Sequence, residues 1–314
     1  MMQLDVAEGV LASSLQVLTT FDLIGIVAAL VLGGMAKGIT GIGVPLVAMP
    51  IVSQFMPIRD AVLLLSMPII LANIPQALEG GQLLATARKI AAPIAGTVFG
   101  NIVGVAILIS LNAGQAQAAS GALLIVVATL MLAAPKLNLA PAWRKPVGFV
   151  LGFGAAVTES IASVPGPLLA TYLISSGASG RAFTKQIAIT LVVSVVTLLT
   201  TFSGAAQASG ADLVISAAAT LPAMAGMWLV RPLRDKMSPE IFRKIVLLLV
   251  LVAAAQMIWK SGVFRHGGSA ATDACIRHAI ELHHMCMSRP SSPLEAHASA
   301  HSNSARMCDG LTST

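Results

Sequence analysis

The stretches "AVLLLSMPIILANIPQAL" and "IVLLLVLVAAAQMIW" run over helical lengths without a single charge. In lipid every backbone N–H and C=O needs a partner within the protein, so segments of this kind fold as spanning helices or as a closed barrel. A transmembrane barrel is written in short segments that alternate apolar and polar residues. Here the apolar runs are continuous, and they recur in stretches of 16 to 23 residues with few or no charges, the length a bilayer requires. Composition agrees: 56% of residues are hydrophobic and 10% charged, against roughly 25% charged in a soluble domain, and the mean hydropathy is +0.86. The reading is an all-α, polytopic helical membrane protein. The N-terminus shows no basic region, short apolar core and small-residue cleavage site in succession, so no removable signal peptide is expected. A net charge of +6 raises nucleic acid as a partner, but the basic residues lie in short loops between spans, the pattern of membrane insertion.

The spans fall into two sets of five, at 22–37, 40–56, 60–78, 90–111 and 116–134, then 147–161, 164–178, 184–204, 212–230 and 244–262. The expected organisation is a short extracytoplasmic N-terminus (1–21), a first transmembrane repeat (22–134), a cytoplasmic linker (135–146), a second repeat (147–264) and a disordered tail (265–314). A constant shift of 122 residues pairs Ile39 with Ile161, Pro45 with Pro167, Leu46 with Leu168, Ala48 with Ala170, Ser53 with Ser175 and Arg59 with Arg181. It also lays the small-residue row Gly96, Gly100, Gly104 over Ala218, Pro222 and Gly226. Internal repeats of this kind are the usual mark of secondary transporters.

The first two segments of each set are short and joined by a tight break, so they are either two spans or one re-entrant hairpin. Either way each half crosses the membrane an odd number of times, and the second half is inverted. An N-terminus outside puts twelve basic residues on the cytoplasmic side, among them Arg88, Lys89, Arg144, Lys145, Arg181 and Lys185, against Arg59, Lys260 and Arg265 near spans outside. That is a strong positive-inside bias. It places both termini outside.

Two charges sit at the breaks. Lys37 ends the first short segment, and the shift of 122 lays it over Glu159. A lone charge near the bilayer centre costs at least ~2.5–3.5 kcal/mol, so each is expected to face the protein interior, a wet cavity or the other. The breaks "GITGIGVP" and "SIASVPGP" free backbone groups that a polar cavity or bound solute can satisfy, and the restarting helices aim their amides at that cavity, which suits an anion. The candidate substrate-binding residues are Lys37, Gly38, Thr40, Gly41, Gly43 and Pro45 in the first half, with Glu159, Ser160, Ser163, Pro165, Gly166 and Pro167 in the second. The expectation is that Lys37 attracts the anion and pairs with Glu159, which carries the coupling proton. The alternative is that the glycines serve close helix packing and Lys37 snorkels to an interface. Asn73, Gln76 and Asn101 also lie inside spans; they line a path or make interhelical hydrogen bonds, and the second reading is favoured. The Gly96, Gly100, Gly104 row reads as packing.

The break "GITGIGVPLVAMP", repeated beyond a basic linker as "GFGAAVTESIASVPGPLLATYL" with "RAFTK" following, resembles the TauE/SafE sulfite exporter family over roughly residues 20 to 262. The resemblance implies a multi-pass carrier in the bacterial inner membrane for sulfite, sulfoacetate or other organosulfonates. The family's glycine-rich turns fall on Gly38, Gly41 and Gly43 with Pro45, and on Pro165, Gly166 and Pro167 with Tyr172. The first turn reads Gly-Ile-Gly-Val where many members carry an uninterrupted glycine run, and Pro165 stands where glycine is more usual.

All six histidines and all three cysteines fall after Phe264. Their absence from the membrane body argues against thiol carriers, haem proteins and intramembrane hydrolases. Within the tail, "HAIELHHMC" matches no standard zinc spacing, so no metal and no cofactor is expected. No P-loop appears. The function expected is secondary transport of a small anion, coupled to a proton or another ion and catalysing no reaction. The competing reading is a non-transporting membrane subunit or assembly factor that packs through its glycine-rich helices. A homo-oligomer stays open.

Overall fold

The structure is a computed structural model that describes residues 10–40, 44–133, 139–205, 208–230 and 239–262. Among them every regular element is helical. The first half contains α1 (Val10–Val17), α2 (Thr20–Thr40), α3 (Pro45–Val52), α4 (Ile58–Leu78), α5 (Leu83–Lys89), α6 (Ala91–Ser110) and α7 (Ala113–Ala133). After a 3-10 turn at Pro141–Trp143 come α8 (Arg144–Ala162), α9 (Gly166–Ser175), α10 (Gly180–Gly204), α11 (Gly210–Ala218), α12 (Thr220–Leu229) and α13 (Pro239–Lys260). Among the described residues, six stretches are long and apolar enough to cross a membrane: α2, α4, α6, α7, α10 and the run 210–229 formed by α11 and α12.

The order of helices repeats at the spacing read from the sequence. Moved along by 122 residues, α3 falls on 167–174 beside Gly166–Ser175, and α4 falls on 180–200 within Gly180–Gly204. The packing follows the same correspondence. Helix α6 lies along α8, and their counterparts α12 and α2 lie along each other; α4 packs on α10, and α7 on α13. Both long contacts are seated by glycines at distances no side chain tolerates. A Cβ on Gly34 of α2 would stand 1.9 Å from the Ala223 carbonyl oxygen of α12, and one on Gly226 2.1 Å from that of Val31. In the second contact, a Cβ on Gly100 of α6 would stand 2.4 Å from the Phe153 oxygen of α8, and one on Gly152 2.3 Å from that of Pro93. Such approach lets membrane helices gain dispersion energy where lipid offers no hydrophobic drive.

Three differences from the sequence reading have local causes. The first segment of each pair is not short: α2 has 21 residues and α8 has 19, whereas α3 has 8 and α9 has 10. Gly38 does not end α2, because it lies against Met227 of α12 and Val230 just beyond that helix and is there a packing residue. The restarts come where proline can stand, in the first turn of a helix, at Pro45 and Pro167. At about 1.5 Å per residue, α3 and α9 reach only about halfway through a core of roughly 30 Å.

Second, the 210–229 stretch is two helices, since Pro222 cannot bond back to Ala218 and the chain turns at Ala219. Third, two helices were not anticipated. Helix α1 is anchored where Asp212 accepts from the Leu11 N–H at 2.8 Å and Asp60 accepts from the Ser14 hydroxyl. Helix α5 is a single amphipathic piece of seven residues that ends in Arg88 and Lys89.

Proline inside α4 is accommodated from outside that helix. Pro68 has no N–H and strands the Leu64 carbonyl; Ser216 of α11 donates to that carbonyl at 2.9 Å and accepts the Met67 N–H at 3.0 Å. One hydroxyl closes the gap. Residues 265–314, with all histidines and cysteines, lie outside the described residues, as do Gly41, Gly43 and the Thr40 side chain.

Candidate substrate and ion site

Both charged residues are buried. Lys37, 7% exposed, lies one turn before the end of α2. Its ammonium donates to Asn73 Oδ1 of α4 at 3.1 Å, and Asn73 in turn donates to the Ile69 carbonyl at 2.7 Å. A neutral amide is thus the one acceptor described for a group with three N–H bonds. Its other two donors have no partner among the described residues.

Glu159, fully buried in α8, sits in a denser network. Its Oε2 accepts from Asn101 Nδ2 of α6 at 3.2 Å and from the Ser194 hydroxyl of α10. The Asn101 amide also reaches the Ser194 carbonyl at 2.8 Å and hydroxyl at 2.9 Å, and its Oδ1 accepts from Ser160 at 3.0 Å. Asn101 therefore joins three helices. The other carboxyl oxygen, Oε1, is buried without a partner, a costly state for a polar atom in a dry interior.

Immediately beyond Glu159 the helix unwinds. Ser163 takes the left-handed conformation (φ 58°) and its N–H closes the turn on the Glu159 carbonyl at 2.7 Å. The Ser163 hydroxyl is buried and unpartnered, while Thr158 donates to the Ala155 carbonyl at 2.7 Å and reaches that of Val164 at 3.3 Å. Pro165 stands at the N-cap of α9 and gives its first turn no side-chain hydrogen bond; Pro167 is buried in that turn. Open space surrounds the position of a Gly166 Cβ. In the first half, Pro45 is buried and opens α3, whose N-cap residue Val44 likewise offers no side-chain bond. The amides of both restarting helices are left for backbone or solute.

Of the second-half candidates, Glu159 and Ser160 are thus joined through Asn101, and Glu159 also by Ser194, while Ser163 meets Glu159 only through its backbone N–H. Lys37 and Glu159 do not pair: among the described residues each bonds neutral groups, Lys37 on α4 and Glu159 on α6 and α10. The physical reason is which helix each break faces, α4 for the first and α10 for the second. Sequence reasoning favoured interhelical hydrogen bonds for Asn73 and Asn101, which both make, and overlooked Ser194. One signal was present: Asn73 shifted by 122 falls on Val195, adjacent to Ser194, so the partner of Lys37 points to the neighbourhood of the partner of Glu159.

The two glycine- and proline-marked breaks, one in each half, are the features on which the sequence resemblance rested, and residues 26–257 match the family model of the sulfite exporter TauE/SafE. The chain belongs to the TauE/SafE family. No curated protein and no solved structure matches it. Family membership, with the apolar helices, makes it a multi-pass membrane transporter and not an enzyme.

Proposed function

We propose that this TauE/SafE member is a secondary transporter of small sulfur-containing anions, sulfite or an organosulfonate, in a bacterial inner membrane. One observation carries the reading: opposite charges are buried at equivalent points of two broken helices, each held among the described residues by neutral partners. A buried ammonium with unused donors suits an oxyanion, which accepts charge-assisted hydrogen bonds more strongly than an amide does. A buried carboxyl with an open oxygen and no cation beside it must be neutralised to be stable. A proton or a small cation does that, so substrate and coupling ion have separate places. The unpartnered Ser163 hydroxyl and the first-turn amides of α3 and α9 supply further contacts for the anion.

The recurrence of helix bounds and of the α2–α12 and α6–α8 contacts supports an inverted repeat, in which one half moves against the other to alternate access. Protein reconstituted in liposomes is expected to move sulfite or a sulfonate above empty-vesicle background under an imposed proton gradient. Flux at background for sulfite, sulfonates and sulfate under every ion gradient overturns the reading. Sidedness has its own test in a variant lacking the tail cysteines. Single cysteines beside Lys89 and Arg144 should resist an impermeant thiol reagent in intact cells, and one beside Asn112 should react; the opposite pattern inverts the topology.

A further inference from the structure

Away from the two breaks, a cavity of about 290 Å³ opens where α4 ends, α5 begins and α10 starts. Three cations line it, Lys89 from α5 and Arg181 and Lys185 from α10, against one carboxylate, Glu79. Their placement runs against local helix energetics. Arg181 and Lys185 are like charges four residues apart, which repel on a helix surface, and Arg181 lies in the first turn, where the macrodipole is already positive. The N-cap residue Ser179 adds no side-chain hydrogen bond to that turn.

The floor is held in shape at a conformational cost: Gly80, Gly81 and Gln82 all have positive φ (69°, 64° and 52°), and Gln82 is not a glycine. The Lys185 ammonium donates to the Gly81 carbonyl and ties this turn to α10. Beside the cavity, Leu78, Leu83 and Leu84 are exposed, at the level where α4 leaves and α10 re-enters the membrane. Repelling cations on a pre-shaped floor next to an apolar surface match a ligand that is anionic at one end and apolar at the other.

We propose that this cavity binds the phosphate of an anionic phospholipid, whose acyl chain lies on Leu78, Leu83 and Leu84. A basic pocket at the end of membrane helices is suited to such a headgroup. The volume also favours it over a small free oxyanion: at ~30 Å³ per water the space holds roughly ten waters, room for a phosphodiester with its glycerol. The site is separate from the Lys37 and Glu159 networks, so its test does not depend on transport.

Full-length protein in mild detergent is examined by native mass spectrometry with phosphatidylglycerol, phosphatidylcholine or inorganic phosphate added. Phosphatidylglycerol adducts are expected to persist where phosphatidylcholine adducts are lost, and Lys89→Gln/Arg181→Gln/Lys185→Gln should lower their occupancy about tenfold with helical content unchanged. Should the triple variant not fold, Arg181→Gln alone is expected to lower occupancy several-fold. Equal occupancy in wild type and variant overturns the proposal. So does displacement of the lipid by inorganic phosphate at equal concentration, which makes the cavity a site for free anions.

Discussion

The Lys37 region and the Glu159 region occupy the same place in the repeat, yet their chemistry is reversed. Each charge stands near the end of the helix before a break, and each finds a partner on the next long helix of its own half, Asn73 of α4 or Ser194 of α10. Helix length and proline position reproduce that frame twice. The sign of the charge and the density of its surroundings are free to differ. Among the described residues Lys37 rests on a single amide, whereas Glu159 is enclosed by Asn101 and Ser194 with one oxygen left open. A duplicated scaffold therefore offers two addresses, and side chains decide what each can hold; in the function proposed above, Lys37 serves the anion and Glu159 the neutralising ion.

The scaffold half of this comparison breaks most severely at the glycine contacts. Gly34→Leu on the Lys37 side and Gly100→Leu on the Glu159 side each drive a side chain into backbone 1.9 Å and 2.4 Å away, strain beyond the roughly 1–3 kcal/mol typical of overpacked cores. Neither variant should give monodisperse protein on size exclusion in detergent, while Gly166→Ala, facing open space, should behave as wild type. If one interface tolerates leucine, the two halves are not seated alike.

The site half separates by flux. Lys37→Ala should weaken anion binding by roughly 1.5–3 kcal/mol, the loss of a charge-assisted hydrogen bond, or about 10- to 150-fold in apparent affinity. Glu159→Gln should bind the anion as wild type does but lose the response of flux to a pH gradient. An unchanged pH response in Glu159→Gln would make the carboxyl structural and leave Lys37 as the one functional charge. Stability, not flux, tests the neutral partners. Ser194→Ala should lower stability by about 1.5–3 kcal/mol and Asn73→Ala by about 0.5–1.5 kcal/mol, because the fully buried Glu159 has no route to water whereas the flexible Lys37 stem does. Equal shifts in melting temperature would show the two charges to be held equally tightly.

Much of the frame was legible before any coordinates. Uncharged runs such as 61–78 must become helices in lipid, proline can restart a helix but not continue one, and a shift of 122 residues carries one half onto the other. These are local or periodic properties, written along the chain. The true length of α2 was not legible, because Gly38 reads as a breaker until α12 is seen pressed against it. Ser216 closing the gap at Pro68 lies 152 residues from the carbonyl it satisfies.

The placement of the charges divides in the same way. Sequence alone set Lys37 and Glu159 at equivalent breaks of a membrane body and made a protein-facing place the expectation for each, since insertion cost and the repeat are properties of the linear chain; their burial is a finding of the structure. Only the tertiary structure decided that they stand apart, one on Asn73 and the other on Asn101 and Ser194. A hydrogen bond between helices depends on which faces meet, and helix packing brings Asn101 and Ser194, 93 residues apart, onto the same carboxyl.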